Sequence, residues 1–300
     1  MTALLLILSL LAALCGTIMK KLYTNRVASD ISAGFVYNAI CGLVAAVVLL
    51  AWGGFGEVSL FTALLGALFG AVTALQGITN IAALQCGPMS YTSVIISFST
   101  LISALSGVLF FGESLGWAQI VGMALMLISF VLATEQRAGE KHATWKWMGL
   151  CLIAFVATGG IGIMQKVHQS SSHKGELSTF LILAFAVSSL LCFLFSLLLK
   201  RREHTQERTD RATPTDSKKK WLLLAVMAVS GGCVAVNNKF NLYLSGVLES
   251  AVFFPIVNGG GLVLAALAAL LIFRERLSKK QWIGIVFGIA SVIFLCNPFG

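Results

Sequence analysis

Residues 112–122 read GESLGWAQIVG, and residues 274–284 read RERLSKKQWIG. Both contain Glu-x-Leu-x-x-x-Gln-x-x-Gly: Glu113, Leu115, Gln119 and Gly122 in the first copy, Glu275, Leu277, Gln281 and Gly284 in the second. Each pair lies 162 positions apart (275 − 113), and Ser129 and Ser291 extend the register. A fixed offset of this length marks an internal duplication, so two related halves organise the chain. Both copies sit where one long apolar run ends and the next begins. In a chain of apolar runs, such a duplication points to a transporter.

Hydrophobic residues make up 58% of the chain and charged residues 11%, against roughly 25% charged in an average soluble domain. This composition predicts an all-α integral membrane protein. A helix needs about 20 apolar residues to cross hydrocarbon. The charge-poor runs predict ten transmembrane helices, over 2–23, 31–52, 61–84, 89–111, 117–134, 147–168, 177–199, 221–244, 250–273 and 281–297. The third and fourth divide at Gly87-Pro88, because proline lacks an amide hydrogen and biases its predecessor away from helix. Strands of a membrane barrel would alternate apolar and polar residues, and no stretch here does. The first run has no basic n-region and carries Leu14 before Cys15, so it reads as a span rather than a cleaved signal. The 7 cysteines are scattered without Cys-x-x-Cys spacing and read as small packing residues.

Basic residues fall between alternate spans. Lys20, Lys21 and Arg26 follow the first, Arg137, Lys141 and Lys146 the fifth, and Arg274, Arg276, Lys279 and Lys280 the ninth. The stretch 200–220, KRREHTQERTDRATPTDSKKK, follows the seventh and is the richest. All but Lys166, Lys174 and Lys239 of the 21 basic residues thus lie on one side, which the positive-inside rule makes cytoplasmic. Both termini are then expected outside, in a cytoplasmic (inner) membrane. The net charge of +9 reflects orientation and anionic headgroups of membrane lipids rather than nucleic acid. The stretch 200–220 also mixes in acids, Ser, Thr and Pro, and is expected to be a mobile linker.

The first spans of the halves also correspond, Met19-Lys20-Lys21 with Met164-Gln165-Lys166. The organisation is therefore a five-helix repeat over 1–134, a cytoplasmic linker over 135–146 and a second five-helix repeat over 147–297. An odd number of crossings turns the second copy upside down, giving two inverted repeats around a central cavity.

The ten spans, the five-plus-five repeat and the Gly112-Glu113-x-Leu and Arg274-Glu275-x-Leu junctions resemble the EamA-type branch of the drug/metabolite transporter superfamily, over nearly the whole chain. The resemblance implies spans 1, 3, 4, 6, 8 and 9 around the cavity, spans 5 and 10 at the periphery, and export as the commoner direction. Some small multidrug-exporting relatives couple protons through a carboxylate in the first span. Spans one and six here contain no Asp or Glu.

Several polar residues interrupt the apolar spans. Asn237, Asn238, Lys239 and Asn241 lie in the eighth, and Gln76 and Asn80 in its repeat partner, the third. The i, i+4 pairs Asn237/Asn241 and Gln76/Asn80 each share a helix face, fit to line a water-filled cavity or to hold helices together by interhelical hydrogen bonds. Lys239 is a candidate to bind a carboxylate or phosphate on the substrate, or else snorkels to the interface. Tyr91 and Phe253, repeat-related, are candidates for an aromatic gate or for interfacial anchors. Pro255, Asn258 and Gly259-Gly260-Gly261 mark the ninth span as an interrupted helix near the substrate site. Glu113, Glu275, Lys20 and Lys166 are candidate gating or helix-turn residues. An acid before a new helix favours its N-terminal dipole, and Ser278-x-x-Gln281 has the form of a capping box.

No Gly-x-x-x-x-Gly-Lys-Ser/Thr loop is present, so ATP hydrolysis by this chain is not expected. His142, His168, His173 and His204 lie at or beyond span ends without ligand spacing and read as solvated loop residues. No cofactor or metal is implied, and no nucleophile, base and orienting acid assemble. The leading expectation is a secondary transporter of a small organic metabolite, such as an amino acid or related compound, acting as a monomer or homodimer by alternating access. The competing classes are a lipid flippase, a passive channel and a membrane-embedded enzyme acting on a lipid.

Overall fold

The computed structural model describes residues 2–24, 31–133, 142–206, 217–272 and 278–296. Among these residues every regular element is helical. The order is α1 (Thr2–Thr24), α2 (Ile31–Gly53), α3 (Leu60–Cys86), α4 (Met89–Ser97), α5 (Thr100–Phe111), α6 (Trp117–Ala133), α7 (Trp145–Ser170), α8 (Leu177–Gln206), α9 (Ser217–Val247), α10 (Ser250–Leu271) and α11 (Lys279–Leu295), with a 3-10 turn at Lys174–Glu176. Among the described residues, eight segments are long and apolar enough to cross a membrane, with Tyr91–Phe111 joining α4 and α5 as one, and Trp117–Leu132 is a shorter apolar helix. Large apolar side chains such as Leu64, Leu109, Phe110 and Val286 stand exposed along them. An apolar exterior on helices whose backbone bonds close internally belongs in lipid, and the chain is a multi-pass helical membrane protein.

Helix ends follow local chemistry. Gly87 closes α3 and Pro88 opens α4, where the sequence predicts a break. At α11 the capping box is complete: the Ser278 hydroxyl accepts from the Gln281 amide, and the Gln281 side chain accepts from the Ser278 amide. Two expectations are corrected. Pro255 does not interrupt the ninth span, because α10 runs unbroken from Ser250 and proline falls near its start, where only one intrahelical bond is forgone. The discontinuity lies in the fourth span instead. There Ser99 N donates to Ile96 O and Leu101 N to Phe98 O, tightening the turn between α4 and α5. In addition, α8 and α9 extend beyond their expected limits to Gln206 and from Ser217, so only 207–216 of the proposed linker lie outside the described residues.

The principal packing partners are α6 with α11, α2 with α8, α1 with α9, α3 with α7 and α5 with α10. Shifting each helix to its repeat partner carries α1–α9 onto α7–α3 and α2–α9 onto α8–α3, all of which are in contact. The exchange reaches single atoms. Ser129 Oγ donates to Gly284 O at 2.7 Å, and Ser291 Oγ donates to Gly122 O at 2.6 Å. The Gly284-x-x-x-Gly288 spacing thus serves packing within the fold, where Gly288 faces Ser129 and Val263.

The largest core cluster joins Leu49, Phe69, Met164, Phe180 and Leu181 from α2, α3, α7 and α8. His168 belongs to this interior, fully buried with its ring 4.3 Å from that of Phe180. That corrects the reading of His168 as a solvated loop residue: α7 continues to Ser170 and carries it into the bundle.

Candidate functional site

A cavity of about 320 Å³ opens between α1, α2 and α9. Thr17 and Lys20 line it from α1, Tyr37 and Asn38 from α2, and Ser230 and Asn237 from α9, with Ala13, Gly16, Cys41 and Val234 completing the wall. Gly231 permits the close approach of α2 and α9, since a Cβ there would stand 2.6 Å from Val44 Cβ and 2.8 Å from Cys41 O. The contribution of α2 departs from the family resemblance, which implied spans 1 and 8 but not span 2.

At the inner end of the cavity a polar knot ties α1 to α9. Ser9 Oγ lies 2.5 Å from Asn241 Oδ1 and 2.9 Å from Asn237 Oδ1, and Asn241 Nδ2 donates to Asn237 Oδ1 at 3.1 Å. One hydroxyl proton serves one carbonyl at a time, and the amide–amide bond holds the second. Asn241 is therefore buried glue, while Asn237 also faces the cavity. Ser9→Ala removes the hydroxyl from a fully buried site and leaves the Asn241 amide oxygen short of a donor. It is expected to cost about 1–3 kcal/mol, read as a lower Tm in detergent.

Closer to the mouth, the hydroxyls of Tyr37 and Ser230 lie 2.5 Å apart and hold α2 to α9. Lys20 is exposed at the mouth. Ser9, Tyr37 and Ser230 were not singled out from sequence; a lone hydroxyl in an apolar helix carries no pattern, and only the neighbouring helix shows what it meets.

The other end of the bundle is closed by a buried ion pair. Lys166 Nζ from α7 lies 2.5 Å from Glu113 Oε1, with side chains 9% and 11% exposed. Lys166 also donates to Leu248 O at 3.0 Å. Ser250, the first residue of α10, donates its amide to Glu113 Oε2 at 2.7 Å and its hydroxyl to Oε1 at 3.2 Å. Glu113 thus caps a helix of the opposite half rather than α6, the helix that follows it in sequence. Gly112 adopts φ 66° to turn the chain, a left-handed conformation that glycine takes without strain. Gly107 leaves room for the carboxylate, since a Cβ there would overlap Glu113. Gln119, also from the repeated motif, donates to Glu249 at 2.7 Å. A second acid acts in the reverse sense: Glu176, after α7, accepts from the amide and hydroxyl of Ser59, the N-cap of α3, at 2.9 and 2.8 Å.

The remaining candidates divide as follows. Lys239 sits with its ammonium 4.2 Å from the centroid of the Trp52 ring. Two residues on a helix turn the side chain through about 200°, away from the face of Asn237 and Asn241, and Lys239 does not line this cavity. Asn238 bonds back to Val234 O at 2.9 Å. Gln76 and Asn80 are half-buried on α3 and do not line this cavity. Of the two gate candidates, Phe253 is buried in a cluster with Leu244 and Phe254, and Tyr91 is half exposed. Asn258 is exposed on α10. Glu275 lies outside the described residues.

Comparison with known proteins gives three findings. The model of the EamA-like transporter family matches residues 145–297. An uncharacterized protein of Haemophilus influenzae is 26% identical over 205 residues, covering 66% of this chain and 62% of that relative's length. A solved structure, described as the crystal structure of a protein, superposes with a TM-score of 0.72 at 17% identity, over 98% of this chain and 95% of that one. The last likeness concerns the fold.

Proposed function

The chain belongs to the EamA-like transporter family, and from that premise we propose that it is a secondary carrier of a small organic metabolite, more often outward, by alternating access. The two halves act as inverted five-helix lobes that expose one site first to one side of the membrane and then to the other. The repeats over 1–134 and 147–297 form the lobes, and the basic connections face the cytoplasm with both termini outside the inner membrane.

One observation carries this reading: a polar cavity opens between α1, α2 and α9 while Glu113, Lys166 and Ser250 close the bundle end onto which α9 delivers Leu248. An open vestibule at one end and a sealed joint at the other are what a carrier resting in one of its two states requires. The exchange symmetry of the helix pairs and of the Ser129–Gly284 and Ser291–Gly122 bonds supports inverted lobes.

Counterflow tests the proposal. The purified protein is reconstituted into vesicles preloaded with an unlabelled metabolite chosen by thermal-shift screening. Labelled compound should then accumulate transiently against its gradient and saturate with concentration. A flux that rises linearly, without stimulation from the far side, would mean a pore, and the carrier reading would be abandoned.

A further inference from the structure

Resting on the carrier reading, we infer that the cavity between α1, α2 and α9 takes an organic anion whose carboxylate is held by the Lys20 ammonium. Lys20 is the one charged side chain among the described residues that line this space. No hydrogen bond or ion pair engages its ammonium among the described residues. Two lysines deeper in the bundle have partners instead: Lys166 pairs with Glu113, and Lys239 lies over the Trp52 ring.

The rest of the wall fits the same ligand. Asn38 and Asn237 bring amides, able to donate to oxygens beyond the carboxylate. Ala13 and Val234 give an apolar face for a hydrocarbon or ring. Among the described residues that line the cavity none is acidic, so the ammonium of a zwitterion meets no counter-charge from them and a cation meets the Lys20 charge. At about 320 Å³ the space lies at the lower end of ligand cavities, suited to one compact monocarboxylate rather than a nucleotide. A carboxylate entering at the mouth meets Lys20 first and is then drawn toward Asn237, deeper along α9.

The charge preference is measured without knowing the natural substrate. In the full chain, with its 7 native cysteines replaced, Thr17→Cys places one thiol on the cavity wall, a turn before Lys20. The probes are anionic sulfonatoethyl methanethiosulfonate and cationic trimethylammonioethyl methanethiosulfonate, each corrected for its rate with a free thiol. The anion should react about ten-fold faster. Lys20→Gln should erase that preference, and Lys20→Arg should retain it, which separates charge from a folding defect. Equal rates, a cation preference, or no reaction with either reagent would overturn the anion assignment, even if counterflow establishes a saturable carrier. A lost counterflow signal with the anion preference intact would overturn the carrier reading and leave the anion site standing.

Discussion

Glu113→Ala is expected to lower stability by about 3–5 kcal/mol, the cost of leaving a buried cation without its partner. Three groups lose the carboxylate together: the Lys166 ammonium, which keeps only the Leu248 carbonyl, the Ser250 amide and the Ser250 hydroxyl. The amide is the most exacting, because Glu249 at the N-cap of α10 makes no side-chain cap bond of its own. The Glu249 carbonyl serves the Val252 and Phe253 amides, so among the described residues the Ser250 amide depends on Glu113. Glu113→Gln keeps the shape and one acceptor oxygen but loses the charge, so it should fall between the wild type and Glu113→Ala. Adding Lys166→Met to Glu113→Gln removes the stranded ammonium and should recover part of the loss. A double-mutant cycle on Tm in detergent reads the coupling. If the two substitutions simply add, the ion pair is not what closes this end.

Two neighbouring glycines should respond with opposite sign. Gly231→Ala places a methyl group 2.6 Å from Val44 Cβ and 2.8 Å from the Cys41 carbonyl oxygen. A backbone oxygen cannot swing aside as a side-chain end would, so α2 and α9 must separate. The expected cost is about 1–3 kcal/mol, with the Tyr37–Ser230 bond strained as the helices part. Gly232→Ala meets nothing within 4 Å and should be neutral or stabilise by up to about 1 kcal/mol through helix propensity. Thermal unfolding of the two variants side by side is the measurement. Equal destabilisation would show that the contact between α2 and α9 does not set the spacing of the cavity wall.

What could be read from the sequence was local or repeated. Apolar runs placed the helices to within a few residues except beside the basic stretch, where α8 and α9 outlast their hydrophobic segments. A helix does not stop where its side chains turn polar, because its backbone hydrogen bonds do not depend on them. Ser278 and Gln281 were legible as a cap because both partners sit within one turn. Glu113 was legible as an acid beside a helix start, but not as belonging to α10, since that contact spans 137 positions. The rotation of Lys239 toward Trp52 was equally hidden. Periodicity tells which residues share a face, but which helix that face meets is decided by packing.

Glu113 of the first half caps α10 in the second, and Glu176 of the second half caps α3 in the first. Each of the two carboxylates therefore completes a helix start far from it in sequence. During synthesis, α3 enters the bilayer before residue 176 has been made, with the Ser59 amide still served only by water or headgroups. The start of α3 is thus completed by a residue made more than a hundred positions later, whereas the start of α10 meets a carboxylate already in place.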